Sequence, residues 1–324
     1  MSKALGLLSG GLDSSLAALC LKRQGVEVTA VAFATPFFGA GKARRAAEKI
    51  GIPLLVRDIG AVHLEMVKHP HYGYGKNLNP CIDCHAMMFR LAGEIMVEQG
   101  FDFLFSGEVL GQRPMSQNLS ALRAVAKHSG HPDCILRPLS ARLLPETKME
   151  EQGLVDREQL LDIQGRTRRR QEALAREWGL SGYPSSGGGC LLTEKHFSDR
   201  LRDLFTHQPD CNTCDVELLK IGRQFRLSAR AKLALGRNQE DNLALAAAAR
   251  ANDVILRTPG LAGPVGVVSG TPDDADLKQA AAIVASYSKG KELAQVEVGA
   301  VAGDWEQRVL VAPMPRAESE KLLL

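Results

Sequence analysis

Short apolar runs and amphipathic segments alternate through the first half of the chain. "KALGLLS" (3–9) is an unbroken apolar run of strand length, and "SSLAALCLKRQG" (14–25) has helical spacing and ends on a glycine. "VEVTAVAFATPF" (26–37) is rich in β-branched residues and predicts a second strand. "AGKARRAAEKIG" (40–51) predicts a helix and "IPLLVRDI" (52–59) a third strand. "MMFRLAGEIMVEQG" (87–100) is an amphipathic helix, followed by the strands "FDFLFSGEV" (101–109) and "CILRPLS" (134–140). Strand and helix in alternation predict an α/β fold, a doubly wound and mostly parallel sheet covered on both faces. Ligands in such sheets bind beyond the carboxyl ends of the strands, where "SGGLDSS" and "FSGEVLGQRPMSQ" fall.

The pattern changes near Tyr183. "YPSSGGGCLL" gathers proline, serine and glycine and reads as a joint. Beyond about residue 215 the pattern becomes alternating, with strands at "RQFRLS", "AKLALG", "DVILRT", "VGVVSG", "AQVEVGAV" and "WEQRVLVA". One alanine-rich helix, "DADLKQAAAIVASYSKG", lies among them. The expected division is 1–182 for the α/β domain, 183–214 for a Gly/Cys-rich joint completing the site, and 215–324 for a smaller α+β domain.

Composition narrows the classes. The 324 residues are 45% hydrophobic and 24% charged, ordinary for a globular protein and long enough for two domains. No apolar run approaches the ~20 residues of a membrane helix, and the first residues lack the pattern of a secretory leader, so a cytoplasmic protein with no membrane partner is expected. A net charge of +3 does not announce a nucleic-acid binder, and attention shifts to local clusters, of which Arg166, Arg168, Arg169 and Arg170 are the densest. As a bare charge run, that cluster is equally a solvated helix start.

The loop after the first strand carries the first chemistry. Gly10 and Gly11 allow backbone amides to approach phosphate oxygens, and the next helix adds the partial positive charge of its N-terminus. Ser9, Ser14 and Ser15 offer hydroxyl donors, Leu12 lies within the same loop, and Asp13 can help hold a Mg2+ ion that bridges phosphates. Neither GxxxxGK[ST] nor GxGxxG is present, which disfavours Walker-type γ-phosphate transfer and a dinucleotide site. The plain alternative is a glycine turn capped by polar side chains.

Seven cysteines supply the second chemistry. Cys20 and Cys134 sit among apolar neighbours and read as core residues. Cys81 and Cys84 stand at the start of a helix, where a lowered thiol pKa is expected, and Cys190 lies on a glycine-rich loop that could fold back to them. Three thiolates suit a 4Fe-4S cluster with one iron left open, a zinc ion with a fourth ligand, or a persulfide carrier with a resolving partner. The second pair, Cys211 and Cys214, could join Cys81 and Cys84 in a four-cysteine zinc site, make a separate zinc or redox site, or be incidental.

"LSGGLDSSLAAL" resembles the SGGxDS signature of the PP-loop pyrophosphatases, which implies an adenine nucleotide alpha hydrolase-like fold and ATP cleaved between its α and β phosphates. With "NPCIDCHAMMF", "GFDFLFSGEVLGQRP", "LRPLSARLLPET", "GRTRRRQEALAREWGL" and "YPSSGGGCLLT", the likeness over roughly residues 1–205 is to the tRNA thiouridylases of that family. The resemblance implies ATP on Ser9–Ser15, with Phe33, Gly107, Glu108, Gln112 and Arg113 as further nucleotide or RNA contacts. It implies Asp13, Cys81, Cys84 and Cys190 as catalytic residues, the three cysteines holding a 4Fe-4S centre as in cluster-dependent tRNA thiolases. Neither a rhodanese-like domain nor the C-terminal barrel of 2-thiouridylases is recognisable. The last third, with "GRNQEDN", "ANDVILRTPG" and "AAAIVASYSKGK", resembles the NFACT RNA-binding domain and implies RNA contacts by Arg237, Asn238, Arg257 and Lys289. Beside such a domain the cluster at Arg166 to Arg170 becomes a further RNA contact. The function implied is ATP-dependent tRNA thiolation, with tRNA and a sulfur donor (a cysteine desulfurase or inorganic sulfide) as partners and a homodimer left open. A small-molecule PP-loop ligase or amidotransferase, and a non-catalytic RNA-binding protein, are the alternatives.

Overall fold

Strand β1 (Lys3–Leu7) lies at the middle of the first sheet, and its Ala4 and Leu5 are wholly buried. The sheet is parallel throughout, in the order β3-β2-β1-β4-β5, with β2 at Glu27–Ala34, β3 at Leu54–Asp58, β4 at Phe103–Ser106 and β5 at Ile135–Leu136. Lys3 aligns with Glu27 on one side of β1, and Ala4 with Phe103 on the other. Helices α1 (Leu12–Arg23) to α7 (Arg169–Glu177) include α2 (Gly41–Ile50), α3 (Gly60–Lys68), α4 (Cys81–Gln99), α5 (Leu119–His128) and the short α6 (Lys148–Glu151). These residues, as a computed structural model, are described over 1–185 and 189–324.

The alternation of β4 shows how the sheet is covered. Phe103 and Phe105 pack with Leu12, Leu16 and Leu21 of α1, while Leu104 points to the other face with Phe89, Ile95 and Met96 of α4. Burying such side chains is worth about 1.5–3 kcal/mol each, and both faces take part, as a parallel sheet requires. Gly6 is needed where β1 meets β4: a Cβ there would stand 2.1 Å from Cζ of Phe105.

The order of the strands reverses between β1 and β4, with the chain leaving β1 toward β2 and returning to β4 on the opposite side. That reversal is the switch point at which α/β sheets open a crevice. Residues 8–11, after β1, and 107–108, after β4, both lie there.

Two compact units divide at 193/194. Residues 194–214, placed in the joint by the sequence pattern, form helix α8 (Lys195–His207) and the start of α9 (Thr213–Leu218) within the second unit. The glycine-rich stretch at 186–188 lies outside the described residues. The second unit is a six-stranded antiparallel sheet, in the order β11-β10-β8-β9-β7-β6. Its strands are β6 (Arg223–Arg226), β7 (Ala231–Leu235), β8 (Val254–Arg257), β9 (Gly266–Gly270), β10 (Val296–Ala302) and β11 (Trp305–Val311). Helix α11 (Asp274–Ser286) buries Ala280, Ala281, Ile283 and Val284 against it, and α10 (Gln239–Ala248) contributes Leu245 to a second cluster with Ala234 and Val267. None of the described helices is long and apolar enough to cross a membrane.

Candidate active site

The loop after β1 is built by its glycines and closed by its serines. Gly10 has φ +78, and a Cβ on it would stand 2.3 Å from the backbone carbon of Lys42 at the start of α2. Gly11 caps α1, and its carbonyl accepts hydrogen bonds from the hydroxyls of Ser14 and Ser15, each at 3.0 Å. Those two hydroxyls are therefore committed to the loop itself. Ser9 Oγ lies 3.2 Å from Ser14 Oγ and accepts from the Gly11 amide.

Asp13 lies within the first turn of α1, where its charge complements the helix N-terminus. Its Oδ2 accepts from Gln112 Nε2 at 3.0 Å and from the Arg168 guanidinium at 3.2 Å. Among the described residues, Asp13 Oδ1, Gln112 Oε1 and Arg168 Nε are buried without a hydrogen-bond partner. Unsatisfied buried polar atoms are uncommon, and three of them here belong to side chains in contact. The structure thus sets Arg168 on the Asp13 carboxylate, while Arg166 and Arg169 are exposed and Arg170 pairs with Asp162 at 2.7 Å.

At the end of β4, Gly107 comes so close to α1 that a Cβ would stand 2.4 Å from the Ser14 amide nitrogen. Glu108, next to it, is buried and accepts from Arg137 Nε at 2.9 Å and from Ser106 Oγ at 3.2 Å. His85 Nδ1 lies 2.7 Å from its other oxygen. Burial would raise the Glu108 carboxyl, but Arg137 and His85 outweigh it and hold it down at about 2. Glu108 is accordingly an ionised anchor that orients His85. Sequence reasoning missed both partners, since nothing local marks a residue 29 positions away as the counter-ion. Phe33 packs in the core with Leu5 and Phe89, and Arg113 is exposed.

Of the three cysteines, Cys81 and Cys190 each lie near enough to Cys84 to act on its charge. Leu191 N donates to Phe37 O at 3.0 Å and Asn77 Nδ2 to Thr193 O at 2.6 Å, which ties the Cys190 segment to the body of the unit. Cys84 feels the charge of both Cys190 and Cys81. Its Sγ lies 3.2 Å from Nε2 of the buried His63, and Cys81 Sγ accepts from Asn79 Nδ2 at 3.3 Å. The expected lowering of the thiol pKa does not hold for Cys84. Burial pushes it up, and Cys190, Cys81 and Asp83 push it further, outweighing the helix N-terminus. His63 is pushed down to about 4 by burial and is neutral, with Nδ1 lacking a hydrogen-bond partner among the described residues. Among those residues, no three His, Cys, Asp or Glu side chains already stand at metal-ligand spacing. Lys42 joins the two halves of the site: its backbone abuts Gly10, and its Nζ is 3.8 Å from where a Cβ on Gly189 would stand.

In the second unit, Arg237 and Asn238 line a cleft of about 310 Å3 with Arg223 and Tyr287. The Arg223 guanidinium lies 4.9 Å from the Tyr287 ring centre, and Arg237 pairs with Asp241 at 2.7 Å. Arg257 and Lys289 are exposed. Cys211 is buried and Cys214 exposed.

A parallel sheet with a glycine-serine-aspartate loop at its switch point is an α/β unit of PP-loop-like fold. Comparison with known proteins carries this further. Residues 1–142 match the family described as thiamine biosynthesis protein (ThiI), and residues 222–323 match the NFACT protein RNA-binding domain. The tRNA-specific 2-thiouridylase MnmA of Methylobacterium nodulans is 29% identical over 212 residues, 59% of this chain and 52% of that protein. A probable tRNA sulfurtransferase of Staphylococcus aureus is 30% identical over 144 residues, 42% of this chain and 34% of that protein. A solved 4-thiouridine synthetase, in complex with RNA and ATP, is 28% identical over 42% of this chain and 36% of that one. Its TM-score of 0.35 is too low to add to the sequence matches. The chain spans about half or less of the curated relatives it matches. The chain is thus similar to tRNA thiouridylases and sulfurtransferases over its first unit and to the NFACT RNA-binding domain over residues 222–323.

Proposed function

We propose that this protein is an ATP-dependent tRNA sulfurtransferase that replaces a uridine carbonyl oxygen by sulfur. The observation that carries this reading is the grouping of Cys81 and Cys190 around Cys84 in the same unit as the SGGLDSS loop. ATP occupies the crevice beyond β1 and β4, its phosphates on the amides of residues 9–11 and the N-terminus of α1. Asp13 positions Mg2+ and pyrophosphate. Arg168, now paired with Asp13, transfers its two-pronged guanidinium to the phosphates, a geometry suited to bidentate contact.

The uridine oxygen attacks the α-phosphorus, the bond to pyrophosphate breaks, and an adenylated base results. Sulfur then forms its bond to the ring carbon as the carbon–oxygen bond to AMP breaks. The target must be splayed from its stack to present that oxygen. The second unit, with Arg237, Asn238, Arg257 and Lys289, and the exposed Arg166 and Arg169 hold the tRNA backbone.

The donor set at the cysteines is right in kind for a 4Fe-4S cluster: three soft thiols, of which Cys81 and Cys190 each act on the charge of Cys84, whose proton metal binding would release. Cys81, Cys84 and Cys190 would hold it, and when bound it would supply an open iron position for a sulfur atom. His63 keeps the Cys84 thiol oriented.

The test is anaerobic incubation with iron, sulfide, MgATP and bulk tRNA, followed by nucleoside mass spectrometry. Thiolated uridine with AMP and pyrophosphate is expected, and iron bound in a Cys81-, Cys84- and Cys190-dependent way. ATP consumed with a small acceptor and no thiolation would favour a ligase.

A further inference from the structure

The RNA contacts read from the sequence are arginines, an asparagine and a lysine. The structure supplies rings in the first unit. His71, Tyr72 and His128 form a mutual cluster, with ring centres 4.8 Å apart for His71–Tyr72, 5.3 Å for His71–His128 and 5.2 Å for Tyr72–His128. All three are exposed, Tyr72 to 42%. Phe37, Phe38 and His63 also cluster, but around a buried histidine, as core rings do.

We propose that the His71–Tyr72–His128 cluster is a stacking platform for an unpaired base of the RNA strand that carries the target uridine. The inference rests on the tRNA reading above and deepens it. Its placement argues for this use. Asp83 lies between Cys81 and Cys84, and its two carboxylate oxygens accept from the amides of His71 at 3.1 Å and Tyr72 at 3.0 Å. The platform is therefore fastened to the cysteine turn itself. Behind it, Tyr74 Oη donates to Val67 O at 2.7 Å, which fixes the loop to the end of α3. A platform held this way loses little freedom when a base settles on it.

Its chemistry selects a nucleic acid over a protein partner. Along the chain, exposed Lys127 precedes His128 and exposed Lys76 follows Tyr72 by four residues, and the acid that holds the loop, Asp83, is already engaged by backbone amides. Rings edged by cations suit single-stranded RNA, where splayed bases stack on aromatic or histidine planes while the backbone follows positive charge. A base lodged here would rest on a loop hydrogen-bonded to Asp83, the residue before Cys84, on the strand that must present its neighbour to sulfur.

The test uses the full chain with bulk tRNA and with a short uridine-containing RNA strand, measured by fluorescence anisotropy over a salt series. Tyr72→Ala and His71→Ala should each weaken binding, roughly five- to a hundred-fold for Tyr72, as expected of one lost stack. The slope of affinity against salt should stay that of the wild type, because stacking releases no counterions. Tyr72→Phe should bind as wild type does. Tyr72→Trp should show indole quenching on addition of the RNA strand, a readout that stands even where the alanine variant folds poorly. Arg169→Gln, removing a phosphate contact, should instead lower the salt slope by about one. Wild-type affinity in Tyr72→Ala, no quenching in Tyr72→Trp, or a Tyr72→Ala defect that appears only as a lower salt slope would overturn the platform. So would a Tyr72→Ala variant that retains RNA and loses a protein partner. If the wild type thiolates tRNA and Tyr72→Ala does so equally, the platform alone falls. If the wild type binds no RNA at all, the functional reading falls and takes the platform with it.

Discussion

Replacing Gly10 by alanine strains the nucleotide loop in two ways that can be measured apart. At φ +78 an alanine is in the left-handed region, which costs about 1–2 kcal/mol. The new methyl would also stand 2.3 Å from the Lys42 carbonyl carbon, 2.4 Å from its oxygen and 2.7 Å from the Ala43 nitrogen. These are backbone atoms and cannot rotate away, so α2 must shift, at a further ~1–3 kcal/mol by the scale of overpacked cores. The expected loss is about 2–5 kcal/mol. In a unit of 193 residues that lowers the unfolding midpoint by roughly 4–20 °C. Gly25 is the control, with φ +80 and nothing within 4 Å of its Cβ, so Gly25→Ala should lose only the left-handed ~1–2 kcal/mol. Differential scanning calorimetry of both variants, with ATP titrated into each by isothermal calorimetry, reads the two parts. Gly10→Ala should be the less stable and should lose ATP binding that Gly25→Ala keeps. Equal stability of the two variants, with ATP binding intact in Gly10→Ala, would refute the close approach of the loop to α2 and its role in holding phosphates.

Arg168→Gln should weaken ATP binding about ten-fold, the loss of one charged contact, and leave nucleotide-free tRNA affinity within about two-fold; anisotropy and calorimetry together check it. Arg137→Met leaves the Glu108 carboxylate buried without its main counter-ion and should cost about 3–5 kcal/mol in urea unfolding. In the wild type, Glu108 sits at about 2, below the 4.5 of the free side chain. Its stabilisation is therefore complete above pH 4.5 and is lost as pH falls from there to about 2, and an acid titration of Glu108→Gln should lack that component. Lys232 on β7 is buried and lowered to about 8 from 10.5, chiefly by desolvation. Its contribution is least favourable below pH 8 and improves as pH rises toward 10.5, so Lys232→Met should raise stability near pH 7 by about 1–3 kcal/mol and lose that advantage in alkaline buffer.

The sheets were legible because their signals are local. Apolar runs such as "KALGLLS" can be buried on both faces only within a parallel sheet, and the alternating strands after Arg223 pair in an antiparallel one. The loop at Ser9–Ser15 could be placed because glycines between a strand and a helix have few other uses. Helix α8 is hard to read from sequence, since a Gly-rich stretch precedes the hydrophobic face made by Phe197, Leu201 and Leu204. What could not be read was pairing across the chain. Arg168 stands 155 residues from Asp13, and Arg137 stands 29 from Glu108. The neutral His63 against Cys84, and the raised Cys84 thiol, depend on burial, which no spacing encodes. The rings of His71, Tyr72 and His128 escaped notice because His128 comes from α5, far along the chain from the other two.

In the proposed reaction, ATP at the SGGLDSS loop activates a base for sulfur delivered at Cys84. The measurement that tests it most directly is mass spectrometry of nucleosides from tRNA incubated anaerobically with the protein, iron, sulfide and MgATP, comparing wild type with Asp13→Ala and Cys84→Ser. Thiouridine with AMP and pyrophosphate is expected in the wild type, and none in either variant, although Cys84→Ser still binds ATP and tRNA. Thiouridine formed undiminished by Cys84→Ser, or ATP cleaved to ADP with no thiolated nucleoside in any sample, would contradict it.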